Sequence, residues 1–204
     1  MLKKIAVFGS TRGSDLEAII SAIISGSIMA EISVVISNKS SAYILQRAKL
    51  HNIRAIFLEP KGKSREEYDN EILFLLEELK IDLVLLIGYM RYLSKPFIDK
   101  YRNRIINVHP SLLPAFAGGI DRDVHNQVLE YGVKITGCTV HFVDDGQDTG
   151  PIILQKAVNV KENDTVETLK TKVQKAEQEI LPLAIKLFIA GKLRIEGRKV
   201  YIKT

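Results

Sequence analysis

Asn107 and His109 close the short run Ile105-Ile106-Asn107-Val108-His109-Pro110, and their types and spacing are catalytic in character. In an extended segment alternate side chains share a face. The amide, a hydrogen-bond donor, and the imidazole, which takes or gives a proton near neutral pH, therefore stand on the same side. Asparagine is disfavoured inside strands, and Pro110 and Pro114 stiffen the exit. A packed polar pair is the plainer reading of the same residues. The segment Asp144-Asp145-Gly146-Gln147-Asp148-Thr149-Gly150-Pro151 gathers three carboxylates. Calcium is one reading, although the distal glutamate of an EF-hand loop is missing, and a surface turn of Asp and Gly is the other. In Gly9-Ser10-Thr11-Arg12-Gly13-Ser14-Asp15 the glycines permit a tight turn, and Ser14 or a nearby hydroxyl is placed to cap a helix whose free N–H groups face an anion. That reading is phosphate binding; an ordinary strand-to-helix turn is the alternative, and the dinucleotide and nucleotide-loop fingerprints are both absent. His51, His125 and His141 are isolated, lack metal-ligand spacing and read as structural, and Cys138 reads as a small packing residue.

These residues need a scaffold, and the first hundred residues supply a βαβ rhythm. Apolar runs at 4–8, 32–36 and 53–58 alternate with amphipathic stretches at 14–25, 41–51 and 64–79. Ile5-Ala6-Val7-Phe8 and Leu83-Val84-Leu85-Leu86-Ile87 are apolar at every position, as parallel strands covered on both faces must be. Residues 82–88 and 104–108 read as the fourth and fifth strands, with a short helix opened by Ser94-Lys95-Pro96 between them. Beyond residue 108 the pattern predicts a helix over 121–131, strands over 134–143 and 152–160 that pair antiparallel, and a long helix over 165–190. That helix carries Leu169, Val173, Ala176, Ile180, Leu183, Ala184 and Leu187 at helical spacing, ends at Gly191, and meets a kink or break at Pro182. The last 13 residues read as a tail. The fold class is α/β: a single-domain, doubly wound, mostly parallel, Rossmann-like sheet with an antiparallel C-terminal strand portion and a long C-terminal helix. Ligands of such sheets bind beyond the carboxyl ends of the strands, so the loops after strands one, four and five matter most.

With 204 residues, 46% hydrophobic and 26% charged, the composition excludes disordered and collagen-like classes, and the length suffices to bury a core without staples. No repeat, low-complexity segment or linker divides it. The longest apolar stretches fall well short of the roughly 18–20 residues that span a bilayer. Twenty-nine basic against 24 acidic residues give a formal charge of +5, a surplus compatible with anionic ligands. No basic cluster with interleaved aromatics appears, so nucleic acid is not an expected partner, and neither is a membrane. One cysteine and no signal-peptide pattern point to a reducing, cytoplasmic home.

Taken together, these segments resemble the folate-dependent formyltransferase superfamily, and within it the branch that formylates glycinamide ribonucleotide in purine biosynthesis. The resemblance covers nearly the whole chain. It rests on Asn107-Val108-His109-Pro110-Ser111-Leu112-Leu113-Pro114, and on His141-Phe142-Val143 followed by Asp148-Thr149-Gly150-Pro151-Ile152-Ile153-Leu154-Gln155. Gly88-Tyr89-Met90-Arg91-Tyr92-Leu93 is similar to the family's folate-pocket segment, and Ser64-Arg65-Glu66-Glu67-Tyr68 to one whose arginine meets the substrate phosphate. The resemblance implies a Rossmann-like formyltransferase domain over 1–204, with a phosphate- and acceptor-binding half to about residue 100 and a catalytic, folate-binding half over about 101–190. It makes Asn107, His109 and Asp148 catalytic. It assigns Thr11, Arg12, Gly13, Ser14, Arg65, Gln174 and Glu177 to the ribonucleotide, and Met90, Arg91, Tyr92, Leu93, Phe97, Val143 and Asp144 to the folate. By residue type alone, Gln174 and Glu177 read as solvated helix positions.

Two departures from the family pattern bear on the acceptor. Thr11-Arg12-Gly13 stands where a Gly-Asn-Gly phosphate loop is usual, and in the stretch 115–125 only His125 answers to a commonly histidine-containing segment. The implied reaction moves the formyl group of 10-formyltetrahydrofolate, a co-substrate, to a primary amine by direct attack, with no metal and no covalent enzyme intermediate. Asn107 and a protonated His109 would stabilise the oxyanion, and Asp148 would hold His109 charged by raising its pKa. A sugar-nucleotide or tRNA formyltransferase, a formyltetrahydrofolate hydrolase and a non-catalytic folate- or nucleotide-binding protein are the alternatives. The short stretch after Gly191 and the immediate entry into strand one are expected to set the chain apart from the tRNA enzyme and the hydrolase, which carry additional domains. The partners implied are glycinamide ribonucleotide and reduced folate, with the chain a monomer or a homodimer.

Overall fold

In the computed structural model, which describes residues 2–119 and 121–203 and the side chains of all but 121 and 122 among them, every expected strand and helix forms. The order is β1 (Lys3–Phe8), α1 (Asp15–Ile24), β2 (Ala30–Ser37), α2 (Tyr43–Leu50), β3 (Ala55–Phe57), α3 (Arg65–Leu79), β4 (Leu83–Leu86), α4 (Lys95–Lys100) and β5 (Ile105–His109). There follow α5 (Asp121–Glu130), β6 (Ile135–Phe142), β7 (Ile152–Asn159), α6 (Val166–Ile189), β8 (Leu193–Glu196) and β9 (Lys199–Ile202). Two compact units divide between Ile106 and Asn107, inside β5.

In the first unit the strand order is β3-β2-β1-β4-β5, and β1 pairs parallel with both β2 and β4. The residues explain this. All four of β4 and the last four of β1 are buried, which only strands covered on both faces require. The covering helices turn Leu16, Ile19 and Ile20 of α1, Ile44, Leu45 and Ala48 of α2, and Tyr68, Ile72 and Leu76 of α3 inward, the spacing of one helical face. Full burial of one such leucine or isoleucine is worth about 2 kcal/mol. α3 starts at a capping box in which the Ser64 hydroxyl accepts from the Glu67 amide and the Glu67 carboxylate accepts from the Ser64 amide.

In the second unit the order is β5-β6-β7-β9-β8, with β6 antiparallel to β7 and β8 antiparallel to β9. α6 packs on β6 and β7 as one helix from Val166 to Ile189 that runs through Pro182, so the expected kink or break does not divide it. Burial of Leu181, Ala184 and Ile185 on either side of the proline holds the helix together across the lost hydrogen bond. Leu183, expected on the inner face, is 46% exposed, because the buried stripe runs through Ile180, Leu181, Ala184 and Ile185 instead. The C-terminal residues also depart from expectation. Instead of a tail they form the β8–β9 hairpin, turned by the two-residue loop Gly197-Arg198 with Gly197 at φ +56°. Glycine at the first position of a two-residue hairpin loop supplies the positive φ that the twist of paired strands demands. Among the described residues no helix is long and apolar enough to cross a membrane.

Candidate active site

The end of β5 is held by a satisfied polar network. The Thr139 hydroxyl on β6 donates to the Ser111 carbonyl at 2.7 Å and accepts from the Leu113 amide at 3.0 Å. The Gln155 amide on β7 donates to Thr139 Oγ1 at 2.9 Å and to the Leu113 carbonyl at 3.0 Å. Buried polar groups that are all paired make a rigid seat. That seat fixes the chain leaving His109.

Asp148 reaches the same place from the turn after β6. The chain can fold back there because residue 150 has no side chain: a Cβ on Gly150 would lie 1.8 Å from the Phe142 carbonyl oxygen. Asp148 adopts φ +53°, a left-handed conformation that aspartate tolerates better than most residues. Its Oδ2 accepts from the Gly118 amide at 2.9 Å and stands 3.3 Å from His109 Nδ1, and its Oδ1 stands 3.6 Å from His141 Nε2. The other ring nitrogen of His109, Nε2, donates to the Phe116 carbonyl at 3.0 Å. His141 Nδ1 donates to the Phe142 carbonyl at 2.9 Å, which leaves Nε2 to accept from the Asn107 amide at 3.1 Å. Asn107, His109, His141 and Asp148 thus form one cluster.

Electrostatics set the resting protonation. Burial pushes the His109 pKa below the usual histidine range, and the Asp148 charge and the Phe116 carbonyl, which act the other way, do not restore it. Asp148 acts to raise the His109 pKa, as expected, while loss of hydration, with the side chain only 4% exposed, is the larger influence. For Asp148, burial raises the pKa, but the neighbouring His141 and His109 rings and the Gly118 amide together bring it below the ordinary carboxylate value. The site therefore sets a carboxylate whose ionised form is favoured against an imidazole whose charged form burial disfavours, 3.3 Å apart, so that one proton can be shared between them. Such a site takes up a proton when the chemistry releases one and returns it when the chemistry needs it.

His141 is the residue that sequence reasoning missed. It was read as isolated and structural, yet it bridges Asn107 and Asp148 from 2% exposure. A signal was present, since Thr139 and His141 alternate onto one face of β6 and the strand runs directly into the Asp148 turn. Asp144 accepts from the Gly146 amide and the Thr149 hydroxyl, at 3.1 and 2.6 Å, and so braces the turn. Val143 and Asp144 are half-buried at its start. Among the described residues no three His, Cys, Asp or Glu side chains converge as a metal would require. On α6, Gln174 is half-buried and Glu177 buried, so neither is a solvated helix position. Of the stretch 115–125, Ile120 lies outside the described residues.

In the first unit the loop after β1 is pinned at several points. The Ser10 hydroxyl donates to Asn38 Oδ1 at 2.5 Å and accepts from the Met90 amide at 2.8 Å, and Arg47 Nε donates to the Arg12 carbonyl at 2.9 Å. Gly13 has φ +60°, and a Cβ there would lie 2.4 Å from Ile44, so only glycine fits. Thr11 turns its hydroxyl onto Gly88, and Arg12 is exposed. Ser14 departs from its expected role: it sits in the right-handed helical region and makes no side-chain cap, because a capping hydroxyl needs an extended backbone to reach the next amides. Arg65 is exposed at the start of α3. Met90 and Arg91 are half-buried, with the Arg91 guanidinium 4.4 Å from the Tyr68 ring centroid, and Tyr92 is 58% exposed. Leu93 is buried, and Phe97 is fully buried against Phe8 and Tyr101, which makes it a support rather than a wall.

The formyl transferase family model matches residues 3–185. The chain is 40% identical over 202 residues to the phosphoribosylglycinamide formyltransferase of Haemophilus influenzae, covering 98% of this chain and 94% of that protein. It is 43% identical over 203 residues to the human trifunctional purine biosynthetic protein adenosine-3, where the match covers 98% of this chain. The chain spans about a fifth of the length of the trifunctional relatives. Among solved structures, glycinamide ribonucleotide transformylase 1 from Symbiobacterium toebii is similar with a TM-score of 0.95 and 45% identity, over 100% of this chain and 95% of that one.

Proposed function

The chain belongs to the formyl transferase family, and from that premise we propose that it transfers the formyl group of 10-formyltetrahydrofolate to the amine of glycinamide ribonucleotide, a step of purine biosynthesis. The observation that carries the reading is the cluster in which His109 Nδ1 and Asp148 Oδ2 stand 3.3 Å apart beside Asn107 and His141.

Direct transfer needs three things: an uncharged amine, stabilisation of the tetrahedral oxyanion, and movement of one proton from the attacking nitrogen to the departing N10. The Asn107 amide donates to the oxyanion with the hydrogen it does not share with His141. His109 and Asp148 handle the proton. When the amine bonds to the formyl carbon, its surplus proton passes to the Asp148–His109 pair, and the imidazolium so formed faces the oxyanion while the charge exists. When the C–N10 bond breaks, the same proton goes to N10, so no proton is gained or lost. No bond to the protein forms. The burial that disfavours a charged His109 suits this cycle, since the charge is called for only in the transition state.

The ribonucleotide is assigned to Thr11, Arg12, Gly13, Ser14, Arg65, Gln174 and Glu177, and the folate to Met90, Arg91, Tyr92, Leu93, Val143 and Asp144, with Phe97 supporting that segment. Arg12 supplies charge where the usual loop supplies only backbone. The test is a steady-state assay with 10-formyltetrahydrofolate, with and without glycinamide ribonucleotide, reading donor loss and product mass. The expected result is donor loss that depends on the ribonucleotide and yields its formylated form. Equal loss without it means hydrolysis and overturns the assignment.

A further inference from the structure

Phe116 carries a backbone conformation that its side chain disfavours. Its φ is +56°, in the left-handed region that a bulky residue disfavours and glycine adopts freely. Glycines are close by at 118 and 119, yet an aromatic residue occupies this position. The Phe116 ring lies edge-on to the largely exposed Tyr131, with centroids 6.3 Å apart and an 85° interplanar angle, and the two rings line one wall of a groove of about 440 Å³ completed by Leu112, Val133 and Ile135. Just before it, the Ser111 hydroxyl donates to the Ala115 carbonyl at 2.5 Å, and just after it the Gly118 amide donates to Asp148. The Phe116 carbonyl is the acceptor for His109 Nε2 at 3.0 Å.

We propose that Phe116 is a positioning residue for His109, its ring wedged against Tyr131 to hold the left-handed backbone that aims its carbonyl at the imidazole. This rests on the reading of His109 as catalytic. The ring anchors the peptide from outside and the carbonyl works on the inside, so one residue ties a surface aromatic pair to the catalytic imidazole. The groups facing His109 are the Asp148 carboxylate from the turn after β6, the His141 ring from β6 and the Phe116 carbonyl. Of these, the carbonyl favours the neutral form protonated on Nε2, against the Asp148 carboxylate, which draws the proton to Nδ1. With the proton on Nε2, Nδ1 is free to receive another on the Asp148 side, as the transfer requires. The carbonyl also raises the proton affinity of the ring against burial.

The experiment compares the whole protein with Phe116→Ala, Phe116→Tyr and Tyr131→Ala, reading kcat, KM and the ¹⁵N NMR titration of the His109 ring. Alanine keeps the backbone strain and removes the ring that holds it. If the wedge matters, Phe116→Ala lowers kcat by about five- to tenfold, the effect of one misaligned hydrogen bond, with KM for both substrates within about twofold. The His109 ring then shifts toward the Nδ1–H tautomer and titrates lower, Phe116→Tyr restores both readouts, and Tyr131→Ala gives a smaller change in the same direction. An unchanged His109 titration overturns the inference, whether or not kcat falls. Should Phe116→Ala lose its fold, as near-UV circular dichroism would show, Tyr131→Ala decides the matter. If the wild-type protein does not turn over, the reading of the site has failed, while the His109 titration still decides whether Phe116 positions the ring.

Discussion

At the scale of single residues, chemistry and burial pull His109 in opposite directions, and the outcome defines what the site can do. Two acceptors, the Phe116 carbonyl and Asp148, favour the charged ring, but burial is the larger influence and lowers the pKa of the imidazole, with a carboxylate beside Nδ1. Replacing Asp148 by Asn removes that carboxylate at nearly constant shape. Asp148→Asn is expected to lower kcat by about two to four orders of magnitude with unchanged near-UV circular dichroism. Wild-type turnover in this variant would remove Asp148 from the mechanism. Asn107, His109 and Asp148 were legible as candidates because residue type, alternation and motif are local. His141 is harder to read: its place on one face of β6 with Thr139, just before the Asp148 turn, is a faint signal, and nothing in its own segment says that Asn107 and Asp148 converge on its ring. The Ser14 cap failed for a related reason: its type was right, but its backbone turned helical one residue early.

At the scale of elements, caps and turns decide how well the site residues are presented. α6 carries Gln174 and Glu177 and begins at a capping box in which Thr165 and Thr168 satisfy each other's amides. Thr165→Ala removes one side of this box. Its expected cost is about 1 kcal/mol, a fall in Tm of about 2–4 °C, with kcat unchanged. A calorimetric scan beside the activity assay checks it, and a loss of kcat without a loss of Tm would show that the cap acts on the site rather than on the helix. The helical period placed α6 to within a residue at each end, yet the inner face near Pro182 had to be seen. The β8–β9 hairpin was overlooked although Gly197 marks its turn, because four-residue strands give too short an alternation to stand out.

At the scale of the whole molecule, the site couples stability to acid. His109 has a lowered pKa in the folded protein, so between that value and the ordinary 6.5 the unfolded chain binds the proton more readily. Stability from this residue is complete above the unfolded value and is lost as pH falls toward the folded one. Asp148, lowered from 3.8, contributes above that value and loses its contribution only as pH falls further, through its folded pKa. Denaturant midpoints measured from about pH 8 to pH 3 should therefore fall in two phases, and His109→Gln should flatten the upper one. An unchanged upper phase in that variant would assign it to another group. By itself, the sequence determined the α/β class, the run of elements to the end of α6 and the residue types of the candidate cluster, because patterning, caps and motifs are properties of neighbouring residues. The tertiary structure alone decided that His141 joins the cluster, that burial disfavours a charged His109, that Phe116 turns its carbonyl to His109 and that Phe97 belongs to the core. Each of these depends on which distant segments meet and how much water they exclude, and burial is a property of the packed chain rather than of any segment in it.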